Sequence, residues 1–150
     1  MNIMTTKDQL QIDLKEAMLK KDVMRKTTIR MALAAIKNSE IDKGHELDDG
    51  EIQAILQKEV KSRRETIEAA ERAKRQDIIT ENEAEIEVLD TYLPQQLVTD
   101  EINVMAREAI DETGATSPNE IGQVMKVLMP RIRGQADGKE VNQIVRKLLV

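Results

Sequence analysis

SPNEIGQVMKVLMPRIRGQADGKEVNQIVRKLL, residues 117–149, carries the clearest helix signals of the sequence and indicates its fold class. Ser117 and Glu120 supply an N-cap and a capping-box acid around a first-turn proline, which predicts a helix start. Asp137 and Glu140 predict a second start after a glycine-containing connection. Apolar side chains follow both starts at the three- and four-residue spacing of an amphipathic helix: Ile121, Val124, Met125, Leu128, Val141, Ile144, Val145 and Leu148.

Helical periodicity continues towards the N-terminus, without sustained strand alternation. Thr99 is a predicted cap for a third helix that Gly114 closes, so residues 95–150 are predicted to form a small domain. The uncharged segment 94–98 interrupts the pattern and marks the boundary with residues 1–94. The predicted fold is all-α: an N-terminal helical domain of about four helices, one of them long, followed by a small C-terminal three-helix bundle.

The helices of residues 1–94 are predicted from their start signals: Thr6 with Gln9, Asp22, Asp48 with Glu51, and Asp77. Gly44 is expected to end the second helix. In the long third helix the apolar stripe thins after Val60, and local acid–base pairs replace it: Glu59–Arg63, Glu68–Arg72 and Glu71–Arg75. Such pairs add only about 0.2–0.5 kcal/mol each, so the sequence predicts that residues 58–76 project as an exposed arm.

Composition excludes several classes of protein. The sequence has no cysteine, which excludes disulfides, zinc–thiolate sites and thiol nucleophiles. The longest apolar run, residues 31–36, is too short to cross a bilayer, so no membrane partner is expected. The N-terminal residues lack the pattern of a signal peptide, and a cytoplasmic protein is therefore predicted.

The sequence offers no credible catalytic centre. His45, the only histidine, lies in a predicted loop without an orienting partner, and serine nucleophiles would lack an activating base. The acids at positions 81, 83, 85 and 87 fall on opposite sides of a helix, which indicates a solvated face. We therefore predict no catalytic residue, no metal site and no cofactor.

Cations concentrate near the C-terminus. Residues 118–150 hold six Lys or Arg against three acids, and several flank the connection that contains Gly134 and Gly138. These cations could position a phosphate backbone, or they could be ordinary surface charges. Asp137 counts against phosphate at the last helix start, because its carboxylate already occupies that electropositive end. With Tyr92 as the only aromatic residue, RNA contacts should be to backbone and shape, and DNA is not expected.

Gly122 is a second clue in this region. A glycine inside a helix costs about 1 kcal/mol relative to alanine, which indicates close approach of another helix or of a ligand backbone. Close helix packing is the commoner cause.

Several segments carry a family resemblance: residues 29–31, 38–44, 92–97, and, above all, EIGQVM at 120–125 with LMPRIRGQADG at 128–138. Together they resemble the YqeY family across essentially the whole chain. The resemblance implies a larger helical part followed by a three-helix domain similar to the tail of GatB, a subunit of transfer-RNA-dependent amidotransferase. It also implies the family label of carbon–nitrogen ligase with glutamine as amido-N-donor.

Carried onto this chain, the RNA-facing character of that tail falls on six residues: Lys126, Arg131, Arg133, Lys139, Asn142 and Arg146. Where the tail tends to have a neutral residue followed by proline, this chain has Asp137-Gly138. The first hypothesis is a non-catalytic accessory that binds transfer RNA or works with an aminoacyl-tRNA-processing protein. The alternatives are an amide-transfer enzyme that needs other subunits and a protein–protein adaptor that uses residues 58–76.

Overall fold

The computed structural model describes residues 4–150, and within that range the chain is α-helical without a strand, which confirms the predicted class. The described residues form seven α-helices: α1 (Thr6–Leu19), α2 (Val23–Lys43), α3 (Asp49–Arg72), α4 (Gln76–Asp90), α5 (Thr99–Thr113), α6 (Ile121–Ile132) and α7 (Gly138–Leu149). A single 3-10 turn, Pro118–Glu120, precedes α6. No helix in the described part of the chain is long and apolar enough to span a bilayer.

The chain divides into two compact units, the first ending at Leu93 and the second spanning Pro94–Val150. Each unit has its own aliphatic core. The first is built around Leu10, Ile29, Ala32, Ile36, Ile52, Leu56, Val60 and Leu89, and the second around Ile102, Ala106, Val124, Leu128, Ile132, Val141 and Val145. Because these side chains recur every three or four residues, burying one stripe of each helix is enough to form both cores.

Most helix ends lie where the capping residues place them. Asp22 accepts from the Arg25 N–H at 3.2 Å, and Gly44 ends α2 with φ 76°. At α1 the cap is Thr5 instead of Thr6, because Asp8 completes a capping box with Thr5. The displaced Thr6 N–H donates instead to Asp49 Oδ1 at 3.1 Å.

Two further starts differ from prediction by one residue. Val98 precedes α5, so Thr99 is the first helical residue and not the cap. Asp77 lies in the first turn of α4 and binds the Arg75 guanidinium at 2.9 Å, so its carboxylate does not cap the helix.

Helices α3 and α4 pack together as a hairpin. Residues 64–66 and 71–76 of the predicted arm are exposed, but the other side of α3 docks against α4, so the expectation of an undocked helix is wrong. Arg63 is only 6% exposed. Its guanidinium bonds Glu59 Oε2 at 2.9 Å within α3 and Glu85 Oε2 at 3.1 Å on α4. Further along α3, the small side chain of Ala70 is also buried. The Glu59–Arg63 pair therefore helps to dock α3 against α4, and Glu85 lies in that contact instead of on a solvated face.

The predicted boundary segment, residues 94–98, is bonded into the second unit. The Leu97 N–H donates to the Gln135 carbonyl at 2.8 Å, and Gln96 Nε2 donates to the Gly134 carbonyl at 2.7 Å. Gln135 Nε2 returns a bond to the Gln95 carbonyl at 3.2 Å. Gly134 has φ 83°, a left-handed conformation that glycine adopts without steric cost. These bonds fix the glycine-containing connection between α6 and α7.

Candidate nucleic-acid interface

Three of the six predicted RNA-binding residues share one side of α7. Lys139, Asn142 and Arg146 follow one another at three- and four-residue steps, on the side away from the buried Val141 and Val145. Lys139 and Arg146 are exposed, and Asn142 is half-buried. We call Lys139, Asn142 and Arg146 the α7 basic face. At 1.5 Å per residue, its two cations lie about 10 Å apart along the helix axis.

The α7 basic face is internally ordered. Arg146 Nε donates to Asn142 Oδ1 at 3.0 Å, so the amide holds the guanidinium on this side of the helix. The acid of the first turn, Glu140, accepts from Thr99 Oγ1 at 3.3 Å. Lys147 is exposed beside the face and adds a third cation. The arrangement suits a run of phosphates, which cations and amide donors both recognise.

Arg131 is bound by an acid of its own unit. Its two terminal nitrogens contact the two carboxylate oxygens of Glu112 at 3.1 and 2.6 Å. These hydrogen bonds raise the pKa of Arg131 and lower the pKa of Glu112. A phosphate would have to displace Glu112 to bind the guanidinium in the same bidentate way.

Lys126 lies on a different side of α6 from Arg131. With 3.6 residues per turn, the two positions are about 140° apart around the helix axis. Lys126 shares its exposed side with Gly122 and Pro130. Nothing lies within 4 Å of the position that a Gly122 Cβ would occupy. Close helix packing in the described part of the chain therefore does not explain this glycine.

Arg133 is exposed and follows directly after α6, at the start of the fixed connection. At the far end of that connection Asp137 accepts from the Lys139 N–H at 3.4 Å, in the cap position that the sequence indicated. The structure thus brings Lys139, Asn142 and Arg146 together, engages Arg131 elsewhere, and separates Lys126 from Arg131.

Sequence reasoning missed a polar cluster in the first unit. Tyr92 donates its hydroxyl proton to the buried Asp13 at 2.5 Å, and Gln9 Nε2 donates to the same carboxylate at 2.8 Å. Arg25 lies 3.8 Å from it. Burial and the neighbouring carboxylate raise the pKa of Tyr92 above its usual range. The available signal was Asp13 itself, which falls on the apolar side of α1 between Leu10 and Ala17.

A cleft of about 570 Å³ lies where the starts of α1 and α3 meet the end of α2. Lys7 crosses it to Glu40 at 2.9 Å, and Glu40 also accepts from the Leu47 N–H at 3.1 Å. Both bonds lower the pKa of Glu40. Across residues 4–150, no three His, Cys, Asp or Glu side chains are grouped to hold a metal ion.

Comparison with known proteins gives two findings. Residues 7–149 match the family model described as Yqey-like protein. Curated relatives named "Altered inheritance of mitochondria protein 41, mitochondrial" match part of the chain. The relative from Lachancea thermotolerans is 40% identical over 99 residues, 65% of this chain and 53% of the relative. The relative from Kluyveromyces lactis is 38% identical over 103 residues, 68% of this chain and 52% of the relative.

A third relative, from Saccharomyces cerevisiae, is 35% identical over 96 residues, 63% of this chain and 52% of the relative. The chain therefore spans about half the length of the curated relatives it matches. Because these relatives are named as mitochondrial proteins, the prediction of a cytoplasmic protein is wrong. Their names mention neither transfer RNA nor amide transfer.

Proposed function

The chain belongs to the YqeY-like family, and from this premise we propose that it is a non-catalytic accessory that binds transfer RNA through the α7 basic face. The observation that carries the proposal is the alignment of Lys139, Asn142 and Arg146 on one exposed side of a helix. An exposed row of two cations and an amide is a common way to hold a nucleic-acid backbone.

The same surface argues for contacts to the RNA backbone and shape. Proteins that read unpaired bases stack them on aromatic rings. The only aromatic residue of this sequence, Tyr92, is outside the second unit, and its hydroxyl is bonded to Asp13. A folded RNA, whose phosphates form a fixed surface, fits this chemistry better than a single strand.

The resemblance of residues 95–150 to the tail of GatB supports transfer RNA as the RNA in question. It also supplies the label of an amidotransferase-type carbon–nitrogen ligase, which describes an assembly with separate catalytic subunits. We propose that this chain has the RNA-binding role and not the catalytic one. Its sequence has no cysteine and only one histidine, which leaves little from which to build a nucleophilic centre.

The test is a titration of the full chain with total transfer RNA, followed at low and moderate salt by fluorescence anisotropy. We expect saturable binding that weakens with salt. The double variant Lys139→Ala/Arg146→Ala should bind at least about tenfold more weakly, and the slope of log affinity against log salt should become shallower by about 2.

Lys126→Ala is the matched control, since it removes one exposed cation from α6 without touching the α7 basic face. It should change affinity by less than about twofold. Unchanged binding in the α7 double variant, or absence of binding by the unmodified chain at low salt, would refute the proposal. Glutamine- and ATP-dependent amide formation with added catalytic subunits would instead favour the enzyme hypothesis, provided that the α7 variant retained full turnover.

A further inference from the structure

Helix α2 exposes a second apolar stripe on the side opposite the core of its unit. Val23, Met31 and Ile41 are 64%, 50% and 68% exposed. Thr27 and Ala34 lie between them on the same side and are also exposed. We call these five residues the outer stripe of α2. The buried stripe of the same helix, Ile29, Ala32 and Ile36, faces the other way.

A single exposed aliphatic side chain on a protein surface needs no explanation, but a helical row of them does. From Val23 to Ile41 the outer stripe runs 18 steps, or about 27 Å at 1.5 Å per residue. Met18 and Leu19, at the end of α1, are also exposed, and the Met18 sulfur lies 3.8 Å from Arg30 of α2. Methionine side chains adapt their shape to a partner, and Ala34 in the middle leaves room for a second backbone.

Unpaired cations border the outer stripe on one edge. Lys26, Arg30 and Lys37 occupy neighbouring positions along α2, between the outer stripe and the core-facing side. None of the three is in an ion pair with any of the described residues 4–150. Arg30 donates to the Met18 sulfur at 3.8 Å. An apolar row with a free cationic edge is complementary to an apolar row with an acidic edge.

The charges around the outer stripe of α2 also distinguish between its possible binding partners. If two copies paired antiparallel through α2, Lys26, Arg30 and Lys37 would face their own counterparts, which repel. An anionic lipid surface would attract the cationic edge but repel the remainder of the unit, since residues 44–93 hold fourteen acids against seven Lys or Arg. A nucleic acid would leave the apolar row without contacts.

We propose that the outer stripe of α2 binds an amphipathic helix of a partner protein that carries acids along one edge. The partner presents aliphatic residues at three- and four-residue steps to Val23, Met31 and Ile41. Its Asp or Glu residues pair with Lys26, Arg30 and Lys37. The interaction follows the helix-on-apolar-face mode of recognition, with the charges setting the direction of the partner helix.

The test uses a designed helical peptide of about five turns, with leucine on one side and glutamate along one edge of it. The isotope-labelled full chain is titrated with this peptide and followed by amide NMR. We expect shifts at the exposed positions of α2 and a dissociation constant that rises with salt. A second peptide, in which lysine replaces every glutamate, should bind at least about tenfold more weakly.

Two surface variants locate the interaction. Met31→Gln and Ile41→Gln should each reduce peptide affinity at least about fivefold while leaving the circular dichroism spectrum unchanged, because both positions are exposed and the change removes an apolar contact without altering the charge. Val104→Gln on α5, which replaces another exposed aliphatic residue, is the matched control and should bind like the unmodified chain.

Four outcomes would overturn the proposal: no shifts on α2, equal binding of the lysine peptide, unaltered binding by both α2 variants, or tighter binding to anionic vesicles than to the acidic peptide. A fifth outcome, concentration-dependent self-association that Met31→Gln abolishes, would overturn it in favour of a second copy of this chain.

Discussion

At the scale of single residues, Arg131 shows that a cation can add positive charge to a surface without being available to a ligand. Its guanidinium is already bound by Glu112. A count of cations gives Arg131 the same weight as Arg146. In the structure, Glu112 holds both terminal nitrogens of Arg131, whereas Arg146 is held by the neutral Asn142. Among the six predicted RNA-binding residues, Lys139 and Arg146 are therefore expected to contribute more to RNA binding than Arg131.

Glu112→Gln tests whether Glu112 keeps the Arg131 guanidinium from binding RNA. Removing the carboxylate frees the Arg131 guanidinium and removes one negative charge from the same surface. Affinity for transfer RNA should therefore rise about two- to fivefold in anisotropy titrations at low salt. Glu108→Gln is the matched control: it removes an acid near Arg131 without breaking the bidentate pair, so its effect should be smaller. Equal effects of the two variants would show that only net charge matters.

Tyr92 supplies a prediction about pH. The folded state raises the pKa of this phenol, so the folded chain holds the proton more tightly than the unfolded chain. Stability from this group is present below the unfolded value of about 10 and is lost progressively as pH rises above it. In urea titrations between pH 8 and 11, the unmodified chain should lose stability with rising pH. Tyr92→Phe should lose less, and its lower stability at pH 8, by about 1 kcal/mol, reflects the missing hydrogen bond.

The residue scale also shows what a sequence can and cannot predict. The caps at Asp22, Gly44 and Asp48 were predictable, because their partners lie within four residues along the chain. Thr5 with Asp8 and Thr6 with Gln9 offer similar local patterns; in the structure Thr5 forms the capping box, and the Thr6 N–H donates to Asp49, 43 residues away. The bond between Tyr92 and Asp13 joins residues 79 apart, and no local pattern announces it.

At the scale of elements, one buried guanidinium joins the two helices of the α3–α4 hairpin. Arg63 follows Leu56 and Val60 at core spacing, so its position on the buried side of α3 could have been found from the sequence. Its second partner could not, since Glu85 reaches it only after α4 folds back. The α7 basic face could be predicted from the sequence more fully, because helical spacing alone brings its three residues together.

Arg63→Ala should destabilise the chain by about 2–4 kcal/mol, measured as the free energy of unfolding in urea, because the half-buried Glu85 would then lose its cation and a cavity would replace the Arg63 side chain. The double variant Arg63→Met/Glu85→Leu should recover most of this loss, since it replaces the ion pair with apolar groups of similar size. If the single variant cost less than about 1 kcal/mol, water would be reaching the acids and the pair would be unimportant for docking α3 against α4.

At the scale of the whole molecule, each unit closes its own core, and the second unit begins earlier than its first helix does. Residues 94–98 are bonded to the α6–α7 connection through Leu97, Gln96 and Gln135. The sequence predicts only that this segment interrupts the helices. Its place in the second unit depends on hydrogen bonds to residues about 40 positions away.

Two fragments measure what that segment contributes. Residues 94–150 should be more stable to heat and urea than residues 99–150, by about 1–3 kcal/mol. The shorter fragment loses the Leu97 contact with the core and leaves the Gly134 and Gln135 carbonyls without their donors. Equal stability of the two fragments would show that water replaces these donors without loss, and that the unit begins at α5.

The bond from Tyr92 to Asp13 also bears on how the chain folds while it is being synthesised. Leu89, fully buried in the first core, and Tyr92 are among the last residues of their unit to leave the ribosome, whereas Asp13 is among the first. Part of the apolar surface of the earlier helices therefore stays exposed until nearly the whole unit has emerged. The nascent first unit consequently has a long window of exposure to chaperones, which the shorter second unit does not share.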